Sequence, residues 1–492
     1  MPILPQAPRL RFPARRPSCR EHPGFASPPH ARLAGCTPAS LPHPAHVLSL
    51  AARLRFPARY PSCCKCLGIA SLPSARPAAS SPASLKAGPS KQLIFSGKPN
   101  MWLVLILLYW PVLVEGNILN LNINPEARLN SKQLIQYWKY PFEEYYVVTV
   151  DGYILDIFRI PHGRENNKTT SPKQVVFLQH GLLVEAGQWY QNLPHNSLAF
   201  MLADAGYDVW LGNSRGNTWS KNHTSLSPLS ENFWKFSFDQ MAKYDLPASI
   251  DFVLQKTGQQ QLYYIGHSQG TTIAFIAFSS NQQLASKIKL YIALAPVAAP
   301  KNAKTPIAKF AKLSDTEIKI LFGQEEFLPK THISTLLSTK LCSQKTLVSI
   351  CSNILFILSG FNEENLNMSR VDVYVSSVPA GTSVQNIIHW KQAINSGKLQ
   401  AYDHGRLGNK FHYGQDSPPE YNVSAMTVPT AIWNGGNDWI SDPEDVNQLI
   451  TQTRNLISHK FISEWNHLDF IYGIDAPDKL YYDIMDLLQR NF

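Results

Sequence analysis

Ser268 lies in Gly-His-Ser-Gln-Gly, residues 266–270, between the β-forming run 261–266 and the apolar helical run 271–280. A G-x-S-x-G pentapeptide arises by chance in a chain of this length about one time in ten, so alone it decides little. Its setting decides more. A sharp strand-to-helix turn lifts the hydroxyl above a sheet, and small neighbours let the backbones approach closely. The following helix aims its N-terminus at developing negative charge. These features mark Ser268 as a nucleophile, against the alternative of a purely structural glycine turn.

A serine hydroxyl is a poor nucleophile without a base. Where a serine is presented in this way, the chain order is serine, then acid, then histidine. The acid is expected after a late strand. "AIWNGGNDWISDPEDV" (431–446) offers Asp438, Asp442 and Asp445. Asp438 comes directly after the strand and its glycine turn, where strand ends face the crevice. Asp442 and Asp445 fall in an incipient helix and read as caps or solvent-facing groups. The base is expected after the last strand. "FISEWNHLDFIYG" (461–473) supplies His467, whereas His459 lies at the wrong end of that strand. The intervals are 170 residues from Ser268 to Asp438 and 29 from Asp438 to His467.

Acyl transfer also needs an oxyanion hole. One donor is the N–H of Gln269, the residue after the nucleophile. The other belongs to a His-Gly loop after an early strand. "FLQHGLLVEAGQW" (177–189) places Leu182 there, with His180 as a scaffold residue that bonds the loop. No cofactor or metal enters this chemistry.

The elements that position these residues can be read from residue 117 onward. "EEYYVVTVDGYILDIFRI" (143–160) reads as a hairpin about Asp151-Gly152. Residues 173–181, 261–266, 289–296, 429–436 and 459–465 read as strands; 197–213 as a helix, a glycine break and a strand; 236–258 as one long helix tolerating a proline; and 271–280 and 477–490 as helices. This alternation predicts an α/β fold with a mostly parallel sheet and helices on both faces. From about 300 to 423 the alternation fails, so a mainly helical segment is inserted between the two halves of one core.

Composition divides the chain at a different place. The net charge is +10, but residues 1–100 carry 14 Lys/Arg and one acid, Glu21. The other 392 residues carry 31 basic and 34 acidic side chains, a net of −3, which leaves no basic face for nucleic acid. The first hundred residues also hold 18 of 36 prolines and five of seven cysteines. "RLRFPAR" at 9–15 returns at 53–59, an offset of 44. Such a stretch buries too little apolar surface to offset its chain entropy, and reads as disordered or as an upstream extension foreign to the working protein. A transit peptide is the rival, but proline this dense spoils an amphipathic helix. Cys63, Cys64 and Cys66 near His43 and His46 match no structural zinc spacing.

At Met101 a 13-residue apolar run, 102–114, leads to Gly116. It is too short to span a bilayer and has the length of a signal-peptide core, with buried strand or helix as the alternative. Residues 101–116 therefore predict export, to the outside or to the lysosome, with no transmembrane anchor. Beyond 116 only Cys342 and Cys351 remain, about ten residues apart. A disulfide is plausible in an oxidising compartment, and two buried free thiols are the alternative. Sequons at Asn167, Asn222, Asn367 and Asn422 are compatible with glycosylation, at a frequency that chance also gives.

Long stretches of the chain resemble the acid lipase family that includes gastric and lysosomal acid lipases. They are "YPFEEYYVVTVDGYIL", "FLQHGLL", "NSLAFMLADAGYDVWLGNSRGNTWS", "FSFDQMAKYDLPASIDF", "GHSQGTT", "NMSRVDVYVSSVPAGTSVQN", "VPTAIWNGGND" and "WNHLDFIYG". The resemblance covers essentially 101–492 and none of 1–100. It implies an α/β-hydrolase core over 117–298 and 424–492, a cap with a lid over 299–423, and hydrolysis of neutral lipid esters at a lipid–water interface. It also implies a triad of Ser268, Asp438 and His467, a hole formed by Leu182 and Gln269, and a cap disulfide between Cys342 and Cys351. Two departures bear on pocket shape: "VEAGQ" after His-Gly-Leu-Leu, and Trp439 after the acid. The rival readings are a non-catalytic lipid-binding protein on this fold, which needs no triad, and a thioesterase or peptidase using the same triad.

Overall fold

The computed structural model describes residues 124–165, 172–330, 359–360 and 362–490. The chain divides between Lys98 and Pro99 into two units, and every described residue belongs to the second. The upstream extension, the leader 101–116, Asn167, Cys342 and Cys351 lie outside the described residues.

Eleven strands occur among the described residues: β1 Glu143–Val148, β2 Tyr153–Ile160, β3 Val175–Gln179, β4 Asp208–Gly212, β5 Asn222–His223, β6 Leu262–His267, β7 Ile288–Leu294, β8 Glu326–Phe327, β9 Thr382–Ser383, β10 Thr430–Gly435 and β11 Leu456–Ile462. The main sheet runs β1-β2-β4-β3-β6-β7-β10-β11, with β5 on β2. The hairpin β1–β2 is antiparallel and joins β4 antiparallel; the pairings from β4 to β11 are parallel. From β3 the chain steps outward to β4, then crosses back to β6 and continues the other way. The loops after β3 and β6 therefore diverge, which opens a crevice at the carboxyl ends of these strands.

β3, β4, β6 and β10 are buried along their whole length, as expected of parallel strands covered on both faces. Side chains alternate between two apolar layers. Val176, Leu178, Tyr263 and Ile265 pack in one with Ile484 and Leu488. Val175, Phe177, Leu262 and Tyr264 pack in the other with Ile250 and Phe275. Each such side chain contributes about 1.5–3 kcal/mol of burial, and the period of two fixes which layer it joins.

The long helix expected over 236–258 is interrupted. A π turn, Met241–Asp245, precedes the helix Leu246–Thr257, and the Leu246 N–H bonds the Met241 carbonyl. Pro247 has no N–H to continue the regular ladder, and a widened turn accommodates it. Between β7 and β10 stand helices Asp315–Phe322, Val384–Ser396 and Gly405–Tyr413 and an unexpected two-stranded pairing, β8–β9. Trp390, Ala393 and Leu399 of this stretch share the second apolar layer with the sheet.

Candidate active site

β6 delivers the chain into the crevice, and the helix Gln269–Ser280 starts one residue after Ser268. Ser268 turns the corner at φ 55, ψ −124. A non-glycine residue in such a conformation stores about 1–3 kcal/mol, which its surroundings must hold. The Ser268 N–H donates to the Leu294 carbonyl at 3.1 Å, and Thr271 donates to the Ser268 carbonyl through its N–H at 2.8 Å and its Oγ1 at 2.6 Å. The flanking glycines are required by space. A Cβ on Gly266 would meet the Gly270 carbonyl at 2.7 Å, and one on Gly270 would meet the Gln179 carbonyl at 2.4 Å.

Asp438 leaves the turn after β10, buried to 1% exposure. Its Oδ1 accepts the N–H groups of Ile440 and Ser441, both at 2.8 Å. Its Oδ2 lies 2.8 Å from His467 Nδ1. A carboxylate oxygen accepts, so Nδ1 carries the hydrogen and Nε2 holds the free lone pair. His467 Nε2 is buried and has no hydrogen-bond partner among the described residues. The imidazole thus keeps one nitrogen for orientation and one for a proton.

His267 ties the base to the nucleophile's turn. Its Nε2 donates to the His467 carbonyl at 3.0 Å, and the two rings lie 4.8 Å apart. Burial, reinforced by His467, holds its pKa well below the ordinary histidine value, so the ring is neutral.

The His-Gly loop packs against Ser268: a Cβ on Gly181 would lie 3.0 Å from Ser268 Cβ. This brings Leu182 beside the turn, and Gln269 opens the helix, where N–H groups lack intrahelical partners. His180 is scaffolding. Its Nε2 accepts the Ser214 N–H at 3.0 Å, its Nδ1 donates to the Gly181 carbonyl at 2.8 Å, and burial pushes its pKa down to about 4.

The rejected candidates lie elsewhere. His459 Nε2 bonds Asn434 Oδ1 at 2.8 Å. Asp442 caps the helix Pro443–Gln452 through the Glu444 N–H. Asp445 is no solvent-facing group: it is half-buried and accepts from the N–H and Nδ2 of Asn302, each at 2.9 Å. Asn222 and Asn422 are exposed and Asn367 half-buried.

Sequence reasoning missed the brace behind Asp438 and His467. The Ser359 carbonyl accepts the N–H groups of both Trp439 and His467, at 3.4 and 3.3 Å. The Gly360 carbonyl accepts from Asn466 Nδ2 at 2.8 Å, and Asn362 and Asn365 donate to Asp469 at 2.8 and 3.0 Å. Burial raises Asp469 to about 7 despite these donors. The partners lie about a hundred positions apart, so no local pattern could have announced them. Among the described residues no group of three His, Cys, Asp or Glu could hold a metal ion, and no helix is long and apolar enough to cross a membrane.

Comparison with known proteins gives concordant matches. A family model described as the alpha/beta hydrolase fold matches residues 174–474, and one described as a partial alpha/beta-hydrolase lipase region matches 131–193. Human lysosomal acid lipase/cholesteryl ester hydrolase is 55% identical over 390 residues, covering 79% of this chain and 98% of the relative. Human gastric triacylglycerol lipase is 56% identical over 369 residues, covering 75% and 93%. Human lipase member K is 55% identical over 399 residues, covering 79% and 99%.

Proposed function

The chain belongs to the acid lipase family of α/β-hydrolases and is a lipase of neutral lipid esters; from that premise we propose that it works through an acyl-enzyme on Ser268. Ser268 Oγ attacks the ester carbonyl while His467 Nε2 takes its proton, and Asp438 holds the imidazolium in register. The N–H groups of Leu182 and Gln269 receive the oxyanion. When the tetrahedral adduct collapses, the C–O bond to the alcohol breaks and His467 returns the proton to the leaving oxygen. Water then repeats the sequence on the acyl-enzyme and releases the fatty acid.

The observation that carries this reading is the polarised imidazole. His467 Nδ1 is spent on Asp438 at 2.8 Å, Nε2 has no hydrogen-bond partner among the described residues, and the His467 backbone carbonyl is tied through His267 to the Ser268 turn. A non-catalytic lipid carrier has no use for that arrangement.

In this reading residues 299–423 form the cap over a core of 117–298 and 424–492. The leader 101–116 exports the chain, outside the cell or to the lysosome, as the names of the lysosomal and gastric relatives suggest. Triacylglycerols and sterol esters are the substrate classes those names carry.

The test is Ser268→Ala assayed on emulsified triacylglycerol and sterol ester. A folded variant with turnover lowered by several orders of magnitude is expected. Near-normal turnover would sink the assignment.

A further inference from the structure

Gln269 carries two groups with separate roles. Its backbone N–H is the oxyanion donor proposed above. Its side chain, in a residue 3% exposed, is bound elsewhere. Gln269 Oε1 accepts from Asn386 Nδ2 at 2.9 Å and from Trp390 Nε1 at 2.8 Å. Both donors sit on the helix Val384–Ser396, four residues apart and therefore on one face.

Donor chemistry fixes every amide in this network. An indole N–H only donates, so the atom facing Trp390 is the oxygen of Gln269. Asn386 must then offer its NH2 to that oxygen. Its own Oδ1 accepts the Phe238 N–H at 2.9 Å, another group that only donates. Its Nδ2 also donates to Thr382 Oγ1 at 3.1 Å, and its backbone N–H donates to Ser383 Oγ at 2.9 Å. Asn386 is fully buried, so neither amide can turn over without stranding a buried donor.

We infer that Asn386 and Trp390 are positioning residues for the oxyanion hole: by clamping the Gln269 side chain they set the direction of its peptide N–H. The inference rests on the reading of Ser268 as nucleophile. The peptide between Ser268 and Gln269 is the one that turns from strand to helix, beside a serine at φ 55. A strained turn keeps its aim only while its surroundings over-determine it. Gln269 Nε2 supplies little of that hold, because among the described residues its hydrogen bond is to Met241 Sδ, a weak acceptor at 3.5 Å. The clamp comes from 117 and 121 residues downstream, out of the inserted segment. The insertion thereby supports the chemistry from behind.

Two variants test this on a soluble short-chain ester. Trp390→Phe removes one donor and keeps a ring against Phe238, whose centroid lies 4.9 Å away. Gln269→Met removes the acceptor at similar length. Losing a whole oxyanion donor costs about 10²–10³ in kcat, so a misaimed donor should cost part of that: about 3–10-fold for Trp390→Phe and about 10–100-fold for Gln269→Met. KM should stay within about twofold, because the donor acts on the transition state. The double variant should be about as slow as Gln269→Met alone, since both changes act through one amide. Inactivation by a phosphonate ester, whose phosphoryl oxygen enters the same hole, should slow by the same factors. Unchanged kcat and phosphonate rate in folded Trp390→Phe, with only its melting temperature lowered, would overturn the inference. That variant decides alone if Gln269→Met does not fold. Phosphonate labelling of the unaltered protein tests the underlying reading separately. A label on Ser268 with unchanged variant rates refutes only the positioning role, whereas no label on Ser268 refutes both.

Discussion

Glu185→Gln exchanges one oxygen for an NH2 group and leaves the shape unchanged. Glu185 follows the His-Gly-Leu-Leu stretch, is 3% exposed, and has one oxygen, Oε2, with no hydrogen-bond partner among the described residues. Burial raises its carboxyl from 4.5 to about 7, and the Lys330 ammonium pulls the other way. Tyr190 and Tyr472 are the other titratable groups that feel it. The folded state therefore holds a proton that the unfolded chain has already released. The stability tied to that proton is fully present below the unfolded value, about 4.5, and is lost as pH rises through about 7. A shift of this size corresponds to about 3 kcal/mol, at 1.36 kcal/mol for each pH unit. Glutamine cannot ionise. The variant should match the parent within about 1 kcal/mol at pH 4 and exceed it by up to about 3 kcal/mol at pH 8. Urea unfolding followed by tryptophan fluorescence at both pH values measures the gap. An equal gap at pH 4 and pH 8, or a less stable variant at pH 8, would refute the reasoning.

Four further outcomes are expected. Asp438→Asn should lower kcat by about 10⁴, because the amide favours the wrong imidazole tautomer. Asp442→Ala, which removes a helix cap, should cost about 1 kcal/mol in thermal unfolding while turnover per folded molecule stays normal. Gly270→Ala drives a methyl group to 2.4 Å from the Gln179 carbonyl, and should give a protein that circular dichroism finds unfolded or strongly destabilised and that lacks activity. Expression from Met101 should yield full activity; an inactive product beside an active full-length chain would contradict the reading of residues 1–100.

What the sequence made legible is what local pattern encodes. The apolar β-forming runs and the glycine spacing round Ser268 lie in short contiguous stretches, and Ser268, Asp438 and His467 each sit at the end of one such run. The α/β fold follows from them because a buried parallel sheet needs apolar strands covered on both faces. Distant partners are a different matter. Ser359 and Gly360 brace loops about a hundred residues away, and Asn386 and Trp390 reach back to Gln269. Each is an ordinary residue in its own neighbourhood, and only the folded chain reveals what it serves. The π turn at Met241–Asp245 escaped for another reason: a proline two residues past it reads equally well as a tolerated kink. Asp445 was misread because helical spacing at the start of Pro443–Gln452 cannot reveal that Asn302 covers it.

The central claim is a covalent intermediate on one hydroxyl. Its most direct test is to quench the enzyme with acid during steady-state hydrolysis of a long-chain ester and to map acylated peptides by mass spectrometry. The account predicts one modified peptide, carrying the fatty acyl group on Ser268, and none in Ser268→Ala. An acyl group on another residue, or sustained turnover by Ser268→Ala, would contradict it.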